Sequence, residues 1–91
     1  MIEAYVLIDA KLGQATDVVH ELAALAGVRD VTLVAGVYDV IARIEVPDAH
    51  AMERLTVQRI PQVGGVLTTR VCPLARRGVP LGREHRAMSA A

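Results

Sequence analysis

Apolar and polar positions alternate along this chain with two different periods, and the switches between them divide it into six elements. Residues 3–10, EAYVLIDA, follow period two, with Ala4, Val6 and Ile8 on one face and Tyr5 and Leu7 on the other. A strand that is apolar on both faces is covered on both, so it belongs in the middle of a sheet. Lys11-Leu12-Gly13-Gln14 supplies a turn. Over 15–26 the period becomes helical: Val18, Val19, Leu22, Leu25 and Ala26 form one stripe. Asp17 stands in the first turn, where the helix dipole favours a negative charge, and Gly27 stands where a C-terminal cap belongs.

Residues 28–35, VRDVTLVA, read as a second strand, and Gly36-Val37 connects it to a third over 38–46, YDVIARIEV. The third has the cleanest alternation in the chain, with Val40, Ala42, Ile44 and Val46 against Asp39, Ile41, Arg43 and Glu45. Pro47 ends it, and Asp48 can cap a second helix by accepting from an early helical N–H. Met52, Leu55, Ile60 and Val63 give that helix its apolar edge, and Pro61 must end or kink it. Gly64-Gly65 is a loop, 66–72, VLTTRVC, is the fourth strand, and Pro73 closes it. No periodicity survives beyond Leu74, so the expected organisation is one domain over 1–74 followed by a flexible tail over 75–91.

Strand, helix, strand, strand, helix, strand is the split βαβ order of an α+β, ferredoxin-like fold. Right-handed crossovers place both helices on one face of an antiparallel sheet. The other face is left bare. If the helices cover Val40, Ala42, Ile44 and Val46, that bare face carries Ile41, together with either Tyr5 and Leu7 or Ala4, Val6 and Ile8. A contiguous apolar patch of this kind is rarely left in water. A second copy packed sheet to sheet would cover it in a closed, isologous dimer.

Composition strengthens that expectation. The chain of 91 residues has no Trp, no Phe and two Tyr, so its core must come from Val, Leu, Ile and Ala. A small domain without large aromatic burials leans on disulfides, metals or self-association. Cys72 is the single cysteine, which excludes a disulfide within the chain. Formal charge is zero, but residues 1–72 carry a net −3 and residues 73–91 a net +3. An acidic body argues against direct nucleic-acid binding by the folded part. The N-terminal apolar stretch is too short for a signal peptide, and no segment is long enough to span a membrane, so the expected location is the cytoplasm.

Few residues suggest chemistry. His20, His50 and His85 have no metal-ligand spacing among themselves or with Cys72, so neither metal nor cofactor is expected. Cys72 has no histidine near it in sequence to serve as a base, and Gly64-Gly65 lacks the flanking residues of a phosphate-binding loop. The informative stretch is Gly36-Val37-Tyr38-Asp39. Glycine lets a ligand approach the main chain. Exposed backbone groups there could hold the carboxylate and ammonium of an amino acid, with Asp39 complementing the ammonium and Tyr38 walling the pocket. The alternative is an ordinary turn in which Asp39 steadies the local backbone.

AYVLI near the start, Gly27-Val28, GVYDVIARIEV in the middle and VGGVLTTRVCPL near the end together resemble the effector-binding (RAM) domain of Lrp/AsnC-type transcription regulators, over roughly residues 1–74. The resemblance implies a ferredoxin-like dimeric α/β barrel that assembles further into rings and binds amino acids or related molecules between dimers. It implies a ligand site at Gly36, Tyr38 and Asp39, with Thr68 and Thr69 as polar positions of the last strand. Gly64 departs from the family pattern, where Pro is often found. The first strand begins near residue 3, which leaves no room for a helix-turn-helix and suggests a stand-alone member able to co-assemble with full-length regulators. Two other readings compete with this one. A ligand-free assembly domain differs only in whether the Gly36–Asp39 region is occupied. A small dimeric-barrel monooxygenase needs His, Asn or Trp on its strands, and these strands offer none, so an enzyme is not expected.

Overall fold

The computed structural model describes residues 1–74. The expectation of a flexible tail over 75–91 lies outside the described residues. Strands β1 (Ile2–Ala10), β2 (Val28–Leu33), β3 (Val40–Val46) and β4 (Val66–Pro73) form one antiparallel sheet in the order β2-β3-β1-β4. Helix α1 (Ala15–Ala23) links β1 to β2, and α2, which starts at Ala49, links β3 to β4. This is the ferredoxin-like α+β arrangement, and β1 is central as its two apolar faces require.

The face beneath the helices is the core. Ala4, Val6, Ile8 and Ala10 of β1 and Val40, Ala42, Ile44 and Val46 of β3 are buried against Val18 and Leu22 of α1 and Leu55 and Ile60 of the second helical region. The alternation thus selects Tyr5 and Leu7 for the other face, alongside Ile41. That open face is less uniformly apolar than the sequence suggested. Arg43, paired with Tyr5 across the ladder, donates from Nε and Nη2 to Asp30 Oδ2, at 2.8 Å in each case, and lies 3.7 Å from Glu3. The hydrogen bond to Asp30 pushes the Arg43 pKa upward. The result is a small apolar centre with a charged rim.

The helices depart from the expected spans for identifiable reasons. Helix α1 ends at Ala23 instead of continuing to 26, and tight i to i−3 bonds from Ala24 and Leu25 finish it. Gly27, with φ +94°, is therefore not the helix cap but the residue that turns the chain into β2. The β2–β3 connection is longer than Gly36-Val37, because β2 stops at Leu33 and β3 starts at Val40.

The second helix has three parts: α2 itself (Ala49–Glu53), a π-helical segment (Arg54–Arg59) and a 3₁₀ turn (Ile60–Gln62) containing Pro61. Asp48 caps it as expected, with Oδ1 accepting from Ala51 N–H at 2.8 Å. The π segment follows from the spacing of the apolar residues. Leu55 and Ile60 are five apart, and in an α-helix residue i+5 points about 140° away from residue i. Both are buried here because the Ile60 N–H reaches back five residues to the Leu55 carbonyl, which returns position i+5 to the same side.

The two halves of the chain make their helix-to-strand transitions alike. Gly27 precedes β2 and Gly65 precedes β4, both at φ +94°, a conformation that other residues rarely adopt. The Gly27 carbonyl accepts from Glu45 N–H at 2.8 Å, and the Gly65 carbonyl accepts from Lys11 N–H at 2.7 Å. Each glycine also permits close packing. A Cβ at Gly65 would lie 2.9 Å from Val18 Cγ2 and from Gln14 Oε1, and one at Gly27 would lie 3.1 Å from Leu55 Cδ2 and Val46 Cγ1.

Candidate functional site

The β2–β3 connection meets the end of β1 and the start of β4 at one end of the sheet. The regular β1–β3 ladder stops at Ile8↔Val40. One residue beyond it, Asp39 continues the pairing with both its backbone and its side chain. Its N–H donates to the Ile8 carbonyl at 3.0 Å, and its Oδ2 accepts from Ala10 N–H at 2.9 Å. Its carbonyl accepts from Val34 N–H at 2.9 Å and so closes the connection. Asp39 is thus a latch between three segments. Its Oδ1 has no hydrogen bond among the described residues.

Asp39 grips the two β1 residues that flank Asp9, so a second acidic residue stands at the same end of the sheet. Asp9 Oδ2 accepts from Thr68 Oγ1 at 2.8 Å, across the β1–β4 pair Asp9↔Thr68. The ladder shifts register between Asp9 and Ala10, and such a bulge re-aims side chains at the rim of a sheet. Asp9 did not emerge as a candidate from the sequence. The signal was there, since it interrupts the apolar run of β1 at its last open-face position.

Gly36 forms the tip of the connection at φ +151°, with no atom within 4 Å of where a Cβ would lie. The neighbouring Val37 is exposed, and Tyr38 is half-buried between the tip and the latch. Gly36, Tyr38, Asp39 and Thr68 therefore gather at the same end of the sheet. Thr69 does not join them. It pairs with Ile8, whose side chain points into the core, so period two sends Thr69 to the helix face and Thr68 to the open face.

The site thus offers two carboxylates, the hydroxyls of Thr68 and Tyr38 and an accessible main chain. Such a set can complement an ammonium group and hydrogen-bond a small polar ligand. Among the described residues there is no cluster of His, Cys, Asp and Glu able to hold a metal ion. His20 and His50 are exposed on their helices, and Cys72 is a half-buried free thiol opposite Tyr5. Nor is any described helix long and apolar enough to cross a membrane.

Comparison with known proteins agrees with this architecture. An uncharacterized HTH-type transcriptional regulator of Pyrococcus abyssi is 31% identical over 68 residues, which are 75% of this chain and 43% of that protein. The chain therefore spans less than half the length of that regulator. A protein of known structure from Thermus thermophilus is 30% identical with a TM-score of 0.80, over 88% of this chain and 99% of its own. A transcriptional regulator of Neisseria meningitidis, solved as an L-Met complex, has a TM-score of 0.73 at 12% identity, over 91% of this chain and 58% of its own, and so speaks for the fold alone. The Pyrococcus and Neisseria proteins are both transcriptional regulators by name. Residues 3–78 match the Lrp/AsnC ligand binding domain, and the chain belongs to that family.

Proposed function

We propose that this domain, a regulatory ligand-binding domain by family, senses an amino acid or a related small molecule at the Gly36–Asp39 end of its sheet. The observation that carries the reading is that Asp39 and Asp9 stand at the same end of the sheet as an exposed glycine tip. In this reading the Asp39 and Asp9 carboxylates complement an α-ammonium group, while backbone groups near Gly36 and the Thr68 hydroxyl meet the remaining polar atoms. The L-Met complex of the Neisseria regulator supports the same class of ligand. Thr69 is the weakest of the candidates, since it faces away from this end.

In this reading the open face of the sheet is the surface for self-association. Tyr5, Leu7 and Ile41 form its apolar centre, and Asp30, Arg43 and Glu3 form its rim, which is the anatomy of an interface. Two copies packed through it give a dimeric barrel, and dimers meeting at the exposed β2–β3 tips give a higher assembly. The same surfaces allow co-assembly with other regulators of the family in the cytoplasm.

Thermal unfolding against a panel of amino acids tests the sensing role. A ligand at about 100 times its dissociation constant adds roughly 2.7 kcal/mol, on the order of ten degrees for a domain of this size. Asp39→Asn keeps an acceptor for Ala10 N–H while removing the charge. Sensing predicts a shift with one or a few amino acids in the wild-type protein that is lost in this variant. If no amino acid moves the transition, amino-acid sensing is ruled out, and the domain is an assembly module or takes a ligand outside the panel.

A further inference from the structure

At the opposite end of the sheet, where β1 and β2 start and β3 ends, a groove of about 540 Å³ opens between the π-helical segment and the β2–β3 edge. That volume is within the range of small-molecule sites, about 300–1,000 Å³. Val46 and Leu55 form an apolar floor, and Arg29, Arg54 and Arg59 stand around it. Among the described residues Glu45 is the only carboxylate lining the groove, and Arg29 Nε lies 3.4 Å from its Oε1. Arg54 and Arg59 have no ion-pair partner among the described residues.

The π segment explains why these two arginines share a wall. They are five residues apart, as are Leu55 and Ile60, and the same lengthened turn that puts both apolar side chains on the sheet returns Arg59 to the side of Arg54. In an α-helix they would diverge by about 140°. Two guanidiniums beside an apolar floor match an oxyanion on a hydrocarbon body, because guanidinium presents paired donors in the plane that a carboxylate accepts. With Glu45 engaged by Arg29, the groove has no free carboxylate for an ammonium group.

We propose that this groove binds a small organic carboxylate that lacks an amino group, with Arg54 and Arg59 holding its oxygens and Val46 and Leu55 its hydrocarbon part. The site is distinct from the acidic end and does not depend on a ligand binding there. The test compares 4-methylpentanoate with leucine, which differ by the ammonium group, and with inorganic phosphate, which has no hydrocarbon body. Each is titrated into the isotope-labelled, full-length wild-type chain and followed by backbone amide NMR.

The expected result is that 4-methylpentanoate shifts the amides of Gly27 and of Arg54–Arg59, that leucine acts there only at higher concentration, and that phosphate acts more weakly still. Arg54 and Arg59 are exposed, so R54Q/R59Q should keep the amide spectrum of the sheet while binding 4-methylpentanoate about ten-fold more weakly or worse. Three outcomes would overturn the proposal: no groove shift at tens of millimolar 4-methylpentanoate, binding unchanged in R54Q/R59Q, or phosphate or leucine acting there as strongly as 4-methylpentanoate.

Discussion

Gly65 and Gly27 hold equivalent places at the two ends of the sheet, with the same backbone angle and a carbonyl that accepts a backbone N–H, from Lys11 just past β1 and from Glu45 of β3. Around these matched turns the chemistry is opposite. The Gly65 end collects Asp9, Asp39 and Thr68, and the Gly27 end collects Arg29, Arg54 and Arg59. Strand β1 runs between them for about 26 Å, well beyond a Debye length of about 8 Å at physiological ionic strength. Each end therefore presents its own field to solvent. The pairing of similar scaffolding with dissimilar charge teaches that the repeated half-fold supplies geometry, while short stretches just outside the regular elements supply selectivity.

The sharpest way to break the comparison is at the glycines. In Gly65→Val the side chain meets Val18 and Gln14 in a left-handed backbone, and the expected cost is roughly 2–5 kcal/mol in urea unfolding. Gly27→Val meets two side-chain ends at a slightly longer distance, so it should cost less, and an equal or larger loss would show that the closeness of these contacts does not set the cost. The next largest effect is expected at Asp39. Asp39→Ala leaves Ala10 N–H without its acceptor and should cost about 1–3 kcal/mol, whereas Asp39→Asn should cost under about 1 kcal/mol. Equal losses in chemical denaturation would mean that the charge, and not the hydrogen bond, makes the latch. The smallest effect belongs to the arginine end: R54Q/R59Q should change stability by no more than about 0.5 kcal/mol, since both side chains are exposed. A larger loss would make them part of the scaffold and erase the contrast.

Strand β3 was legible because it carries a period of two, and β1 because it is a short apolar run, whose two apolar faces also gave its central place. The end of α1 was not legible. Leu25 and Ala26 continue the helical stripe, yet the chain must already be turning so that Gly27 can pack against Leu55 and Val46, a contact between residues distant in sequence. The π segment was visible only as an odd spacing of five between Leu55 and Ile60, beside a Pro61 that accounted for irregularity without it. At the acidic end, Gly36, Tyr38 and Asp39 stood out because glycine, aromatic and acid meet there. The latch role of Asp39 depends on an amide 29 positions away, which no local pattern encodes. Alternation alone was enough to separate Thr68 from Thr69, since neighbours on a strand cannot share a face.

The two tyrosines have a consequence for observation. With no Trp and no Phe in the chain, all near-ultraviolet emission comes from Tyr5 and Tyr38, and neither lies in the core. Tyr5 stands on the open face of the sheet and Tyr38 behind the glycine tip. The protein thus carries a native optical probe at its proposed assembly surface and another at its proposed ligand site, with no indole to quench or mask them. Replacing Tyr5 by Phe would leave a single fluorophore that looks only at the Gly36–Asp39 end.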